Sequence, residues 1–133
     1  MWGFHLIADV GGCCVESMKS QEHIQLFLVE LLEKTKMNAL GDPIFKYIPP
    51  TPEAIEKEID GFSVVQIITT SSVVMHFVDS RSAIFIDFFS CKLFDIEEVK
   101  EIIKKYFNYT SIKTKYMERD IMEQDDGVDL QYA

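Results

Sequence analysis

A chain of 133 residues with a formal net charge of −9 is long enough for one two-layer domain and too acidic to track a phosphate backbone, so nucleic acid is not an expected partner. Its hydrophobic content of 47% describes a globular core, yet the longest apolar runs are only strand-sized and none is predicted to span a membrane. Three cysteines, with Cys13 and Cys14 adjacent, give no disulfide framework; with no signal-peptide pattern ahead of the first strand, the expected location is the cytoplasm.

Phe4 to Val10 alternates loosely and meets Gly11-Gly12, which predicts a strand and a turn. His5 and Asp9 share one face of that strand, but two ligands with no third nearby do not make a metal site, and no metal is expected. Cys13 and Cys14 read as small buried residues. Ser20 then caps a helix running to about Lys36, with Ile24, Phe27, Leu28, Leu31 and Leu32 on its apolar face and His23 as a solvated first-turn residue. After a loop, Ile44 to Ile48 reads as a short strand stopped by Pro49, Pro50 and Pro52, and residues 53–58 as one or two helical turns.

Asp60-Gly61 turns the chain into its most informative stretch, residues 61–91. Three strands are predicted there: Phe62 to Thr69, Val73 to Val78 and Ala83 to Phe89. Between the first two stand four hydroxyls, Thr69-Thr70-Ser71-Ser72, where Gly or Asn would turn a corner at less cost. Ser63, His76 and Cys91 belong to the same stretch, and a hydroxyl, a base and a thiol on three adjacent strands can form a reaction centre. The plain alternative is a Ser/Thr-rich turn beside a core histidine and a core cysteine. These residue types alone leave both readings open.

Asp95 caps a second helix, with Glu98 as its reciprocal partner and Ile96, Val99, Ile102, Ile103 and Tyr106 as its stripe, ending near Asn108. Ser111 to Tyr116 reads as an edge strand, and Met122 to Ala133 as an acidic, mobile tail. This order predicts an α+β fold: a two-layer sandwich in one domain, residues 1–121, with a mostly antiparallel sheet and two helices on one face. Phe85, Phe88 and Phe89 make both faces of their strand apolar, so a homodimer that covers the second face is expected.

Several motifs then fall together. Gly3, His5, Asp9, Gly12 and Cys13 fit Gly-x-His-x-x-x-Asp-x-x-Gly-Cys, and Gly61-Phe62-Ser63 fits Gly-x-Ser. Thr70 to His76 aligns with Glu-Ser-His-x-x-x-His, Asp87 and Cys91 with Asp-x-x-x-Cys, and Glu118-Arg119-Asp120-Ile121 with Glu-Arg-Gly-Ile. On these residues the chain resembles the short bacterial and archaeal S-adenosylmethionine decarboxylases, pyruvoyl-dependent enzymes of polyamine synthesis. The resemblance covers about residues 3 to 121, with an extra segment around Pro50 to Ile59, and keeps Ser63, Ser71, His76 and Cys91 at the family's own intervals.

What the resemblance implies is specific. The chain would cut itself between Thr70 and Ser71, the Ser71 hydroxyl attacking the Thr70 carbonyl with help from Ser63 and His76. A pyruvoyl group derived from Ser71 would then head residues 71–133 as the covalent cofactor, an electron sink for the carbanion left by carbon dioxide. Cys91 takes the position of the proton donor, and Phe4, His5, Asp79, Ser80 and Asp87 the positions of substrate contacts. Three departures stand beside these matches. Thr70 and Ser72 replace the glutamate and histidine that flank the family's serine. Ser80 stands where the family has the glutamate that holds the substrate's ribose, and Asp79 next to it points to the other face if that segment is a strand. The implied substrate is therefore S-adenosylmethionine or a basic amino acid, ornithine or arginine. The alternatives on the same scaffold are an unprocessed lyase of S-adenosylmethionine or its nucleotide conjugate, and a non-catalytic regulator of an active relative.

Overall fold

Period-two runs of β-branched and aromatic residues build one antiparallel sheet in a computed structural model that describes residues 1–123. Its strands are β1 (Gly3–Gly11), β2 (Ile44–Ile48), β3 (Gly61–Ile68), β4 (Ser71–Val78), β5 (Ala83–Ser90) and β6 (Ser111–Arg119). They lie in the order β2-β3-β4-β5-β1-β6, with every neighbouring pair antiparallel. Alternation sends Leu6, Val64, Met75, Ile86 and Phe88 to one face, where all are buried. On that face lie α2 (Gln21–Lys34) and α4 (Ile96–Phe107), burying Ile24, Phe27, Leu28, Leu31 and Leu32 from the first and Val99, Ile102, Ile103 and Phe107 from the second. The expected α+β sandwich with two long helices on one face is what the chain forms.

The helix ends follow the sequence. Ser20 Oγ accepts the His23 N–H at 3.1 Å, and the Asp95 carboxylate accepts those of Glu97 at 2.9 Å and Glu98 at 3.4 Å, satisfying donors a helix start leaves open. Glu98 makes no reciprocal bond among the described residues, so the cap works in one direction. The segment after Pro50 forms α3 (Pro52–Glu56), capped by Thr51 with proline in its first turn.

Four local expectations are corrected. A one-turn helix, α1 (Val15–Met18), follows Cys14, too short for helical periodicity to reveal it. Cys13 is buried, and burial pushes its thiol up to about 11, but Cys14 is exposed. His23 is not merely solvated: its Nε2 donates to the Tyr106 carbonyl at 2.6 Å and ties α2 to α4. The segment after β4 is a 3-10 turn, Asp79–Arg81, rather than strand, which turns Asp79 inward. The expected acidic tail, Met122 to Ala133, lies outside the described residues from position 124 onward.

That turn forms a corner with the start of β3. Asp60 is almost wholly buried and accepts the Ser80 N–H at 2.9 Å and the Ser80 hydroxyl at 2.7 Å. Gly61 has φ +134° there, and a Cβ on it would sit 2.4 Å from the Phe77 carbonyl oxygen, so only glycine fits. Asp79 is buried as well, and among the described residues its Oδ1 has no hydrogen-bond partner. Burial first, and the Asp60 carboxylate second, push the Asp79 carboxyl above its ordinary value. A carboxyl raised in the folded state binds its proton more tightly there than in the unfolded chain. Its stabilising contribution is complete at acid pH and fades as pH rises through the folded-state value. Replacing Asp79 by Asn is expected to abolish that fade and raise Tm at neutral pH, by about 3 °C for each kcal/mol recovered. Thermal melts of both proteins across pH check it.

The second face of the sheet has no helices. Ile7, Ile67, Phe85 and Met117 are exposed on it, interspersed with His5, Asp9, His76 and Asp87.

Candidate active site

The four hydroxyls divide differently from the sequence expectation. The β3–β4 ladder runs to the pair Ile68–Ser71, so only Thr69 and Thr70 form the turn and Ser71 and Ser72 belong to β4. A two-residue hairpin needs a left-handed residue, and Thr70 supplies it at φ +50°, which a β-branched side chain tolerates poorly. Strain of this kind amounts to about 1–3 kcal/mol and here sits in the residue just before Ser71. The Thr70 hydroxyl donates to the Thr69 carbonyl at 2.8 Å.

Ser71 points to the helix-covered face and is only 7% exposed. Its Oγ accepts the backbone N–H of Cys91 at 2.9 Å. The Cys91 thiol lies 3.8 Å from the Thr69 carbonyl oxygen, and the neighbouring hydroxyls of Thr70 first and Ser71 second hold it below the ordinary thiol value. A left-handed Thr70, a hydroxyl beside it and a thiol held below its ordinary value therefore meet at one end of the sheet. On the bare second face, Ser63 Oγ lies 2.9 Å from His76 Nδ1, the two being direct cross-strand partners.

A family model for S-adenosylmethionine decarboxylase matches residues 4–120. The chain belongs to that family. The S-adenosylmethionine decarboxylase proenzymes of Clostridium botulinum strains Langeland and Okra are each 25% identical over 114 residues, spanning 85% of this chain and 90% of theirs. The crystal structure of the adenosylmethionine decarboxylase from Aquifex aeolicus VF5 superposes with a TM-score of 0.72 over 96% of this chain and 98% of that one, at 17% identity, and so supports the fold. A carboxy-lyase is the activity that the family's name implies.

Within this family member the residues singled out from sequence fall into separate places. Ser71, Thr70 and Cys91 are together. Ser63 and His76 are together but five residues along β4 from Ser71, about 17 Å at strand rise, and on the opposite face. Asp79 and Ser80 lie beyond the far end of β4, in the corner with Asp60. His5 Nε2 and Asp87 Oδ1 are 3.2 Å apart on the bare face, and Phe4 is buried on the helix side against Phe94 and Tyr116. Within one chain, no small molecule bound at Ser71 reaches Asp79 or Ser80.

Next to Ser71 and Cys91 opens a cavity of about 210 Å³ lined further by Lys36, Met37, Asn38 and Lys92. Lys36 and Lys92 were missed from sequence because one lies just past a helix and the other just past a strand, far apart in the chain. Ser90 and Asp60, both buried and hydrogen-bonded, were missed because a serine ending a strand and an aspartate before glycine look like ordinary turn residues. Among the described residues, no three His, Cys, Asp or Glu side chains are placed to hold a metal ion, and no helix is long and apolar enough to cross a membrane.

Proposed function

We propose that this chain is a self-processing, pyruvoyl-dependent decarboxylase cut between Thr70 and Ser71. The observation that carries the proposal is the Ser71 hydroxyl, fixed by the Cys91 N–H immediately after the strained Thr70. A nucleophile placed beside an unrelaxed carbonyl is already part-way to attack, and each 1.4 kcal/mol of strain released in the transition state is worth about ten-fold in rate.

The Ser71 oxygen adds to the Thr70 carbonyl carbon as the carbon–nitrogen bond breaks. The hydroxyl proton moves by way of the Cys91 sulfur to the released amine, and an ester results. Loss of the Ser71 α-proton then expels residues 1–70 as a carboxylate by breaking the Cβ–O bond. Uptake of water and loss of ammonia leave a ketone at residue 71. The site suits that group: Ser71 opens onto the cavity, and Cys91 stands beside it. The ketone supplies an electron sink for the substrate's α-carbon. Cys91 returns the proton to that carbon, within direct reach of residue 71.

Of the two implied substrate classes the lining favours S-adenosylmethionine, and with it a place in spermidine synthesis. At about 210 Å³ the cavity is smaller than the roughly 300–1,000 Å³ of sites that enclose a whole drug-sized ligand, so it admits an amino-acid end and leaves the remainder outside. Lys36 and Lys92 suit a carboxylate. Among the described residues no acidic side chain lines the cavity to partner the second amine of ornithine or arginine. The same reading makes the protein a homodimer, a second copy covering Ile7, Ile67 and Phe85 and supplying its own Ser63–His76 pair to the first copy's Ser71.

Intact-mass spectrometry of the purified protein tests the reading. Two fragments are expected, residues 1–70 and 71–133, the second with no free amino terminus, and Ser71→Ala is expected to leave one uncut chain. An uncut wild-type chain that consumes S-adenosylmethionine would make the protein a lyase instead. An uncut, inert chain that co-purifies with an active relative would make it a regulator.

A further inference from the structure

Ser90 ends β5 on the helix side of the sheet with no exposure to solvent. A buried hydroxyl needs partners, and Ser90 finds both on a single residue. Its Oγ donates to the Lys92 carbonyl at 2.5 Å and accepts the Lys92 N–H at 3.0 Å. Those two bonds cinch Ser90-Cys91-Lys92 into a tight loop whose middle N–H is aimed at Ser71 Oγ, 2.9 Å away. The Lys92 ammonium carries the tie outward to the Lys36 carbonyl at the end of α2. Serine is more than a filler of space here: an alanine would pack as well but would remove both bonds that fold the Ser90-Cys91-Lys92 loop.

We infer that Ser90 is a positioning residue for self-processing, its hydroxyl shaping the loop that holds the Cys91 N–H on Ser71 Oγ and the Cys91 sulfur beside the Thr69–Thr70 turn. Ser90 touches no reacting atom and acts only through Cys91. The inference rests on the self-processing reading, but the placement of the Cys91 thiol is measurable whether or not the chain is cut.

The test compares full-length wild type, Ser90→Ala and Ser90→Thr by two readouts. Intact mass follows the rate of cutting, and iodoacetamide with peptide mapping follows Cys91 alkylation from about pH 6 to 10. Folded Ser90→Ala is expected to cut roughly 10- to 100-fold more slowly, the scale of a displaced reacting group. Measured in the His76→Ala background, where the chain stays uncut, the Cys91 alkylation midpoint of Ser90→Ala should move up towards that of a free thiol, because the thiol leaves the hydroxyls of Thr70 and Ser71. Ser90→Thr keeps the hydroxyl and is expected to restore both readouts. Wild-type cutting together with a wild-type alkylation profile in Ser90→Ala overturns the inference. If Ser90→Ala does not fold, Ser90→Cys, of similar size and a poorer hydrogen-bonding group, takes its place under the same criteria. If wild type itself is uncut, the functional reading fails and the alkylation profile alone decides: an unmoved midpoint overturns the positioning role and a raised one supports it.

Discussion

Co-expression of Ser71→Ala and His76→Ala chains is expected to yield cut His76→Ala chains, although neither variant is cut when made alone. The expectation follows from distance. A group that moves a proton must lie within hydrogen-bond reach of it or one water away. His76 lies about 17 Å from Ser71 at strand rise and on the other side of the same sheet. If the Ser63–His76 pair assists the cut, as the functional reading holds, it does so from a neighbouring copy. In a mixed dimer the His76→Ala chain keeps Ser71 and borrows histidine from its partner, so its processing should recover from a loss of about 10²- to 10⁴-fold. Mass spectrometry with differently tagged chains distinguishes the products. Cutting of His76→Ala alone would show that the pair is not needed, and the absence of cutting in the mixture would remove the trans arrangement.

Cys91→Ala separates processing from turnover. The bond that holds Ser71 Oγ comes from the Cys91 backbone, which alanine retains, so fragments 1–70 and 71–133 are still expected, formed more slowly. Decarboxylation should fall by about 10²- to 10⁴-fold, the usual worth of a placed acid. The pH response carries a sign. Before the cut, hydroxyl hydrogen bonds from Thr70 and Ser71 favour the thiolate. Afterwards residue 71 has no hydroxyl and Thr70 ends in a carboxylate, and each change favours the neutral thiol. Cys91 is thus easier to ionise while a base is useful and harder to ionise when a proton must be given. Alkylation of Cys91 in uncut His76→Ala and in processed wild type should show the midpoint higher in the processed form.

The fold was legible because its elements are long and regular. The apolar stripes of α2 and α4, their caps at Ser20 and Asp95, and the β-branched runs of β3 to β5 each declare a period and a boundary. The separation of Ser71 from His76 became legible only with Ser71 placed in β4 rather than in the turn, because an odd number of steps along one strand puts two side chains on opposite faces. Matching motif intervals grouped them all the same, because intervals along a chain carry no information about sides. Other parts of the site were not legible. The left-handed Thr70, the Ser90 loop and the Asp60–Ser80 corner depend on partners from 2 to 20 residues away, and the His23–Tyr106 tie spans 83. No local period announces such pairings.

The order of the strands bears on what a severed chain would be. Residues 1–70 bring β1, β2 and β3, residues 71–133 bring β4, β5 and β6, and β1 lies clasped between β5 and β6. Neither piece can form a contiguous sheet of its own. The two products would dovetail like fingers of folded hands, migrate as a single body under native conditions and come apart only in denaturant, with no covalent link needed between them.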